Sequence, residues 1–214
     1  MDTVNITIDG ISASVPKNYT VLEAARSLNI KIPTLCYLKG INEVGACRMC
    51  VVEVERARTL QASCVLPVTE GMVVHTNTPA VREARRTILE LMLGRHKRDC
   101  LTCSKNLNCE LQRLCEEMNI RDVPFETYNT DARVDDLSPA IVRDPSKCIL
   151  CGRCVNVCKK IQGVGAVDFT MRGYRTVVAP AFNRSLGEVA CIDCGQCIKV
   201  CPVGALREKD DTEK

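Results

Sequence analysis

Residues 3–15 read Thr-Val-Asn-Ile-Thr-Ile-Asp-Gly-Ile-Ser-Ala-Ser-Val, with apolar and polar positions alternating on both sides of Asp9-Gly10. A period of two predicts two strands, and Asp-Gly predicts the tight turn between them. The period then lengthens. Val21, Leu22, Ala25 and Leu28 share one face of a helix that Thr20 can cap. Asn29 suits the end of this helix, and Pro33 prevents its continuation. Val51–Glu55 returns to a strand pattern, with further strands predicted at Thr59–Ala62 and Met72–His75. Hairpin, helix and returning strands describe a small α+β domain with a mixed sheet.

Thr78-Pro79 has the cap-then-proline order of a helix start. Val81, Ala84, Arg85, Ile88, Leu91 and Met92 give that helix one mainly apolar face, running to about Gly94. A second helix is predicted over Cys109–Met118. Residues 119–143 carry two prolines and scattered charge, and read as a connector. Ala166–Thr170 and Tyr174–Val178 suggest a hairpin turned at Arg172-Gly173. No apolar run approaches the ~20 residues of a membrane span.

Composition changes the picture at one residue type. Sixteen of the 214 residues are cysteine, against seven aromatics and no Trp. The hydrophobic share of 46% is a globular value, which excludes wholesale disorder. Met1-Asp2-Thr3-Val4-Asn5 lacks the basic start and apolar core of a signal peptide, so a cytoplasmic location is expected. Thiols stay reduced there, and metal is the leading explanation for so many. A net charge of +3 does not argue for nucleic acid.

The cysteines fall into four groups: 36, 47, 50 and 64; 100, 103, 109 and 115; 148, 151, 154 and 158; 191, 194, 197 and 201. The last two repeat the pattern C-x2-C-x2-C-x3-C about 43 residues apart. Three cysteines at that spacing in a tight loop reach three irons of one cubane, and the fourth reaches the sister cluster. Cys148, Cys151, Cys154 and Cys201 would then hold one [4Fe–4S] cluster, and Cys158, Cys191, Cys194 and Cys197 the other. Pro202 completes the usual ending of the second repeat, whereas Lys159 replaces that proline in the first. The zinc alternative fits less well, because zinc usually takes paired C-x2-C ligands from separate strands. Cys36, Cys47, Cys50 and Cys64 supply four thiolates at a spacing unlike the plant-type pattern, and both iron–sulfur and zinc stay open there.

His96 lies four residues before Cys100, giving H-x3-C-x2-C-x5-C with Cys103 and Cys109. Alone it would read as a cation at a helix end. Beside three cysteines it reads as a neutral ligand, which makes a cluster less negative and raises its potential. Cys115 is left over, as an unligated thiol on the second helix. Arg95, Lys97 and Arg98 read either as a solvated basic helix end or as cations near that site. His75 reads as structural. Gly163-Val164-Gly165 begins no dinucleotide fingerprint, since Asp168 stands at the third glycine position. There is no P-loop, and these residues contain no catalytic site.

Val44-Gly45-Ala46-Cys47-Arg48-Met49-Cys50, the His96–Cys109 motif and the twin repeat, in this order, carry a resemblance. The chain resembles the N-terminal electron-transfer region of the multimeric [FeFe]-hydrogenase catalytic subunit. It is similar also to the large iron–sulfur subunit of NADH dehydrogenase and to some formate dehydrogenases. The resemblance implies a β-grasp [2Fe–2S] ferredoxin domain over 1–78, with its cluster on Cys36, Cys47, Cys50 and Cys64. It implies a small helical domain over 79–120 with a [4Fe–4S] cluster on His96, Cys100, Cys103 and Cys109. A connector over 121–143 would lead to a bacterial-type 2[4Fe–4S] ferredoxin domain over 144–214. In all, this makes one [2Fe–2S] and three [4Fe–4S] clusters.

Such a chain is a relay. The partners that the resemblance implies are an NADH-oxidising flavoprotein, a thioredoxin-like [2Fe–2S] subunit, a hydrogenase or formate dehydrogenase catalytic domain or subunit, and external ferredoxin. The charged ending from Arg207 reads as a linker. A stand-alone electron-transfer subunit and the front of a longer chain are both compatible with it. Two rivals make different predictions. A structural zinc protein would be colourless, and a free-standing polyferredoxin would be a soluble monomer.

Overall fold

The computed structural model describes residues 2–125 and 133–210. Part of the connector and the last four residues, on which some of the readings above fall, lie outside the described residues. The chain divides into two compact units, Met1–Tyr37 with Glu43–Leu89, and Leu38–Asn42 with Glu90–Lys214.

In the N-terminal unit, β1 (Thr3–Ile8) and β2 (Ile11–Pro16) form the hairpin predicted from alternation. Asp9 and Gly10 take φ of 49° and 83°, the left-handed pair that a two-residue turn of this twist requires. Helix α1 (Val21–Ser27) begins at a capping box: the Glu23 N–H donates to Thr20 Oγ1 at 3.3 Å, and Glu23 Oε2 accepts from the Thr20 N–H at 3.0 Å. Asn29, with φ 59°, ends it as expected. Strands β3 (Val51–Val54), β4 (Gln61–Ala62) and β5 (Met72–His75) complete a sheet of order β2-β1-β5-β3-β4, parallel only between β1 and β5. Strand β4 is shorter than the predicted Thr59–Ala62. The Gln61 side chain donates to the Thr59 carbonyl and hydroxyl, a local bond that competes with the ladder. Ile6, Ile8, Val21, Leu22, Val52 and Val74 are among the core residues of this unit.

Helix α2 (Pro79–Arg95) starts at Thr78, whose hydroxyl accepts from the Val81 N–H at 3.3 Å. Its buried stripe is Val81, Arg85 and Leu89. Leu91, expected on that face, is 56% exposed. The pattern of four-residue steps, and not the mere run of apolar residues, selects the face.

Helix α3 (Glu110–Glu117) occupies the predicted place and buries Leu111 and Leu114. The stretch read as connector ends in a strand, β6 (Ile141–Arg143), all three residues of which are buried. After α4 (Arg153–Asn156), which runs on as a π-turn over Val157–Ile161, come β7 (Asp168–Thr170) and β8 (Val177–Ala179). They pair as the expected hairpin, shortened because Gly173–Arg175 coil into a 3-10 turn. Helix α5 (Gln196–Val200) leads to β9 (Leu206–Glu208), which pairs antiparallel with β6. The predicted linker from Arg207 therefore begins as a strand, and the Lys209 N–H still donates to the Ala140 carbonyl. Among the described residues, no helix is long and apolar enough to cross a membrane.

Candidate metal centres

The first group lies within the N-terminal unit. Cys36 follows α1, Cys47 and Cys50 lie on the loop before β3, and Cys64 follows β4; all four are buried. Gly45 and Arg48 bend the loop with φ of 61° and 60°. A Cβ at Gly45 would press on the Val65 side chain at 3.2 Å. The Cys47 N–H points at Cys36 Sγ, 3.5 Å away. The thiols hydrogen-bond in pairs, Cys36 with Cys47 and Cys50 with Cys64. Each bond favours one thiolate: Cys47 falls to about 6 and Cys50 to about 7, while Cys36 and Cys64 are pushed up. The Cys64 thiol senses the charges of Cys50, Cys36 and Cys47, so all four sulfurs share one site. Arg85 of α2 is buried beside them and donates to the Val51 carbonyl at 2.7 Å. Burial pulls this guanidinium down to about 10, and the Cys50 charge opposes the shift.

His96 directly follows α2 and is buried, with its Nδ1 lacking any partner. Burial, reinforced by the Lys147 charge, lowers its pKa, so the imidazole is neutral at pH 7, the form that binds metal. Cys109 is the N-cap of α3, and burial raises its thiol; it also senses Cys103 and Cys100. Cys103 lies against Gly204, where the Cβ of any other residue would overlap its sulfur. An orphaned buried nitrogen, three thiols near one another and a glycine cradle fit the cluster that the resemblance implies. Cys115 is half-buried on α3, its thiol raised to about 11 by burial.

At the basic helix end Lys97 and Arg98 are exposed, as a solvated end requires, and Arg95 differs. Arg95 donates to the Tyr174 carbonyl at 2.7 Å and to the Thr176 carbonyl, tying down the loop between β7 and β8. Lys97 pairs with Asp99 at 3.3 Å. His75 lies on β5, with its ring 3.4 Å from the exposed Glu55 carboxylate.

The twin repeat folds as two like loops. Leu150 and Asp193 take φ of 54° and 50°, and Gly152 and Gly195, which follow in register, take 80° and 69° before α4 and α5 begin. The loops are thus the same turn used twice. One cavity is lined by Cys148, Cys151, Cys154 and Cys201, with Cys197, and by Val167, Val178, Leu186 and Leu206. A second is lined by Cys158, Cys191, Cys194 and Cys197. Each cavity thus brings the three cysteines of one loop together with the fourth cysteine of the other repeat. Burial raises Cys148 to about 11 and Cys151 and Cys197 to about 12, and it pushes Cys154 well above the ordinary thiol value. A bare thiolate is unstable in such dry walls and needs a cation beside it. The backbone supplies further donors: the Leu150 N–H to Cys148 Sγ at 3.4 Å and the Ala166 N–H to Cys158 Sγ at 3.3 Å. Sequence spacing alone did not disclose Asn42, fully buried, whose side chain donates to the Cys151 carbonyl at 3.0 Å and accepts from Asn156.

Three family models match the chain in order. They are a 2Fe-2S iron-sulfur cluster binding domain over residues 1–79, the NADH-ubiquinone oxidoreductase-G iron-sulfur binding region over 85–124, and a 4Fe-4S dicluster domain over 147–205. The NADP-reducing hydrogenase subunit HndD of Solidesulfovibrio fructosivorans is 48% identical over 98% of this chain and 37% of its own length. The NADH-ubiquinone oxidoreductase 75 kDa subunit of Reclinomonas americana is 35% identical over 96% of this chain and 29% of its own. This chain thus spans little more than a third of the first relative and less than a third of the second. A chain in the crystal structure of NAD+-reducing [NiFe]-hydrogenase in the H2-reduced state is 32% identical with a TM-score of 0.90. That match covers 97% of this chain and 88% of that one.

Proposed function

This chain belongs to the iron–sulfur family shared by the 75 kDa subunit of NADH dehydrogenases and its counterparts in NAD-linked hydrogenases, and from that premise we propose that it relays single electrons through four clusters. The ligand sets of the reading are Cys36, Cys47, Cys50 and Cys64 for [2Fe–2S], and His96, Cys100, Cys103 and Cys109 for a [4Fe–4S] cluster. Cys148, Cys151, Cys154 and Cys201 hold a second [4Fe–4S] cluster, and Cys158, Cys191, Cys194 and Cys197 a third. Domains at 1–78, 79–120 and 144–214, with a connector over 121–143, follow those sites. The observation that carries it is the crosswise grouping of the twin-repeat cysteines around two cavities.

When bound, the clusters supply reversible one-electron chemistry. The chain's own residues set its terms. Apolar walls exclude water, backbone N–H groups and the Arg85 guanidinium offset sulfur charge, and neutral His96 lowers the negative charge at one site. Electrons come from an NADH-oxidising flavoprotein, with a thioredoxin-like [2Fe–2S] subunit beside it, and pass to a hydrogenase centre or to ferredoxin. A second reading, delivery within an NADH dehydrogenase, is favoured by the match of residues 85–124 to the NADH-ubiquinone oxidoreductase-G region.

Anaerobically purified chain should be brown and contain about 14 iron atoms. Colourless protein with zinc in place of iron would sink the relay.

A further inference from the structure

We propose that the backbone hydrogen bond from Glu110 to Pro202, clamped by the Arg153–Glu110 ion pair, is the bridge by which electrons cross between the His96 and Cys201 centres. The proposal rests on the ligand sets given above. The Glu110 N–H donates to the Pro202 carbonyl at 2.9 Å. Glu110 follows Cys109 in the chain, and Pro202 follows Cys201. A ligand of one centre is therefore joined to a ligand of the other by covalent bonds and a single hydrogen bond. Electronic coupling decays more slowly along such a bonded path than across a gap.

Arg153 holds the junction. Its side chain is 9% exposed, and its Nη1 and Nη2 donate to Glu110 Oε1 and Oε2 at 2.7 and 2.9 Å, the two-pronged geometry that resists rotation. Nη1 also reaches the Val200 carbonyl at 3.5 Å. One guanidinium thus lies between Cys151 and Cys154 in sequence while gripping the residue after Cys109 and the residue before Cys201. Gly204, against Cys103 Sγ, keeps the same segment close to the His96 centre. The repeat itself argues for a dedicated arrangement. Gln196 stands where the other loop has Arg153, and Lys159 where the other has Pro202. In the step itself one centre loses one electron and the other gains it; no bond is made or broken and no proton moves. Glu110 and Arg153 are positioning residues.

The fold supplies a clean test. Glu110 is the first residue of α3, where proline is tolerated, and Cys109 has φ −103° and ψ 122°, which suits a residue before proline. Glu110→Pro removes both the N–H donor and the carboxylate; Glu110→Ala removes only the carboxylate. In the complete, anaerobically loaded chain, the EPR signal of each centre is recorded, and electron redistribution after a brief reducing pulse is followed. Glu110→Pro should slow the exchange by an order of magnitude relative to Glu110→Ala. Equal rates in the two variants overturn the bridge. Where Glu110→Pro costs the His96-centre signal, Arg153→Met decides: slower exchange with both signals intact supports the clamped junction, and a native rate refutes it. Absence of the two signals from the unaltered chain refutes the relay itself.

Discussion

His96 shows how one residue changes a site's charge without changing its fold. Burial and the nearby Lys147 keep the imidazole neutral, so a cluster there carries one negative charge fewer than an all-thiolate one. His96→Cys should keep the iron and lower the potential of that centre alone, as read by an EPR-monitored redox titration. An unchanged potential would take His96 off the ligand set. The two loops of the twin repeat were legible because Cys148, Cys151 and Cys154, and likewise Cys191, Cys194 and Cys197, sit at one fixed short spacing. Arg153 and Glu110 were not, because a contact between residues 43 apart leaves no periodic trace. Asn42 was invisible for the same reason: a lone asparagine after Gly40 reads as a turn residue, and only the fold brings it to Cys151.

Elements divide along similar lines. The hairpin, α1 and α2 were legible because they announce themselves by alternation, a cap, and a cap followed by proline. Strand β6 was not. It has three residues, and the third is an arginine, which argues for surface. Arg143 is buried because Asp135, equally buried, accepts from its Nε at 3.3 Å, while Arg143 Nη1 donates to the Val178 carbonyl at 3.1 Å. Asp135 also accepts from the Leu186 N–H at 3.0 Å and from the Ser185 hydroxyl. One carboxylate thus fastens the residues before β6 to the turn before Cys191. Asp135→Ala strands a buried guanidinium and should cost about 3–5 kcal/mol of local stability. Hydrogen exchange at β6 and β9 would rise accordingly, and native protection there would refute the role. Lys159→Ala, which breaks a pair about half-exposed on both sides, should cost less than about 1 kcal/mol.

At the scale of the whole chain, the two units draw their stability from different sources. The N-terminal unit has a five-stranded sheet and a continuous apolar core, to which Cys50 and Cys64 belong among its four cysteines. Tyr37, the one buried aromatic among the described residues, lies there too. From Ile141 onward, strands are three residues long, α-helices are four or five, and the cavities at the centre are walled by cysteines. Segments that short do not hold themselves together, so ligation has to do the folding there. The scarcity of aromatics follows: iron and sulfur take the volume that rings would fill. Stripping iron from the complete chain with a chelator under reducing conditions should therefore act unequally. Amides of β1, β3, β5 and α1 should stay protected from hydrogen exchange, while those of β6 through β9, α4 and α5 should exchange rapidly. Restoring iron and sulfide should return the protection. Uniform loss across both units would mean that the N-terminal core also depends on its cluster, and uniform retention would mean that the C-terminal unit has a core of its own that its short elements conceal.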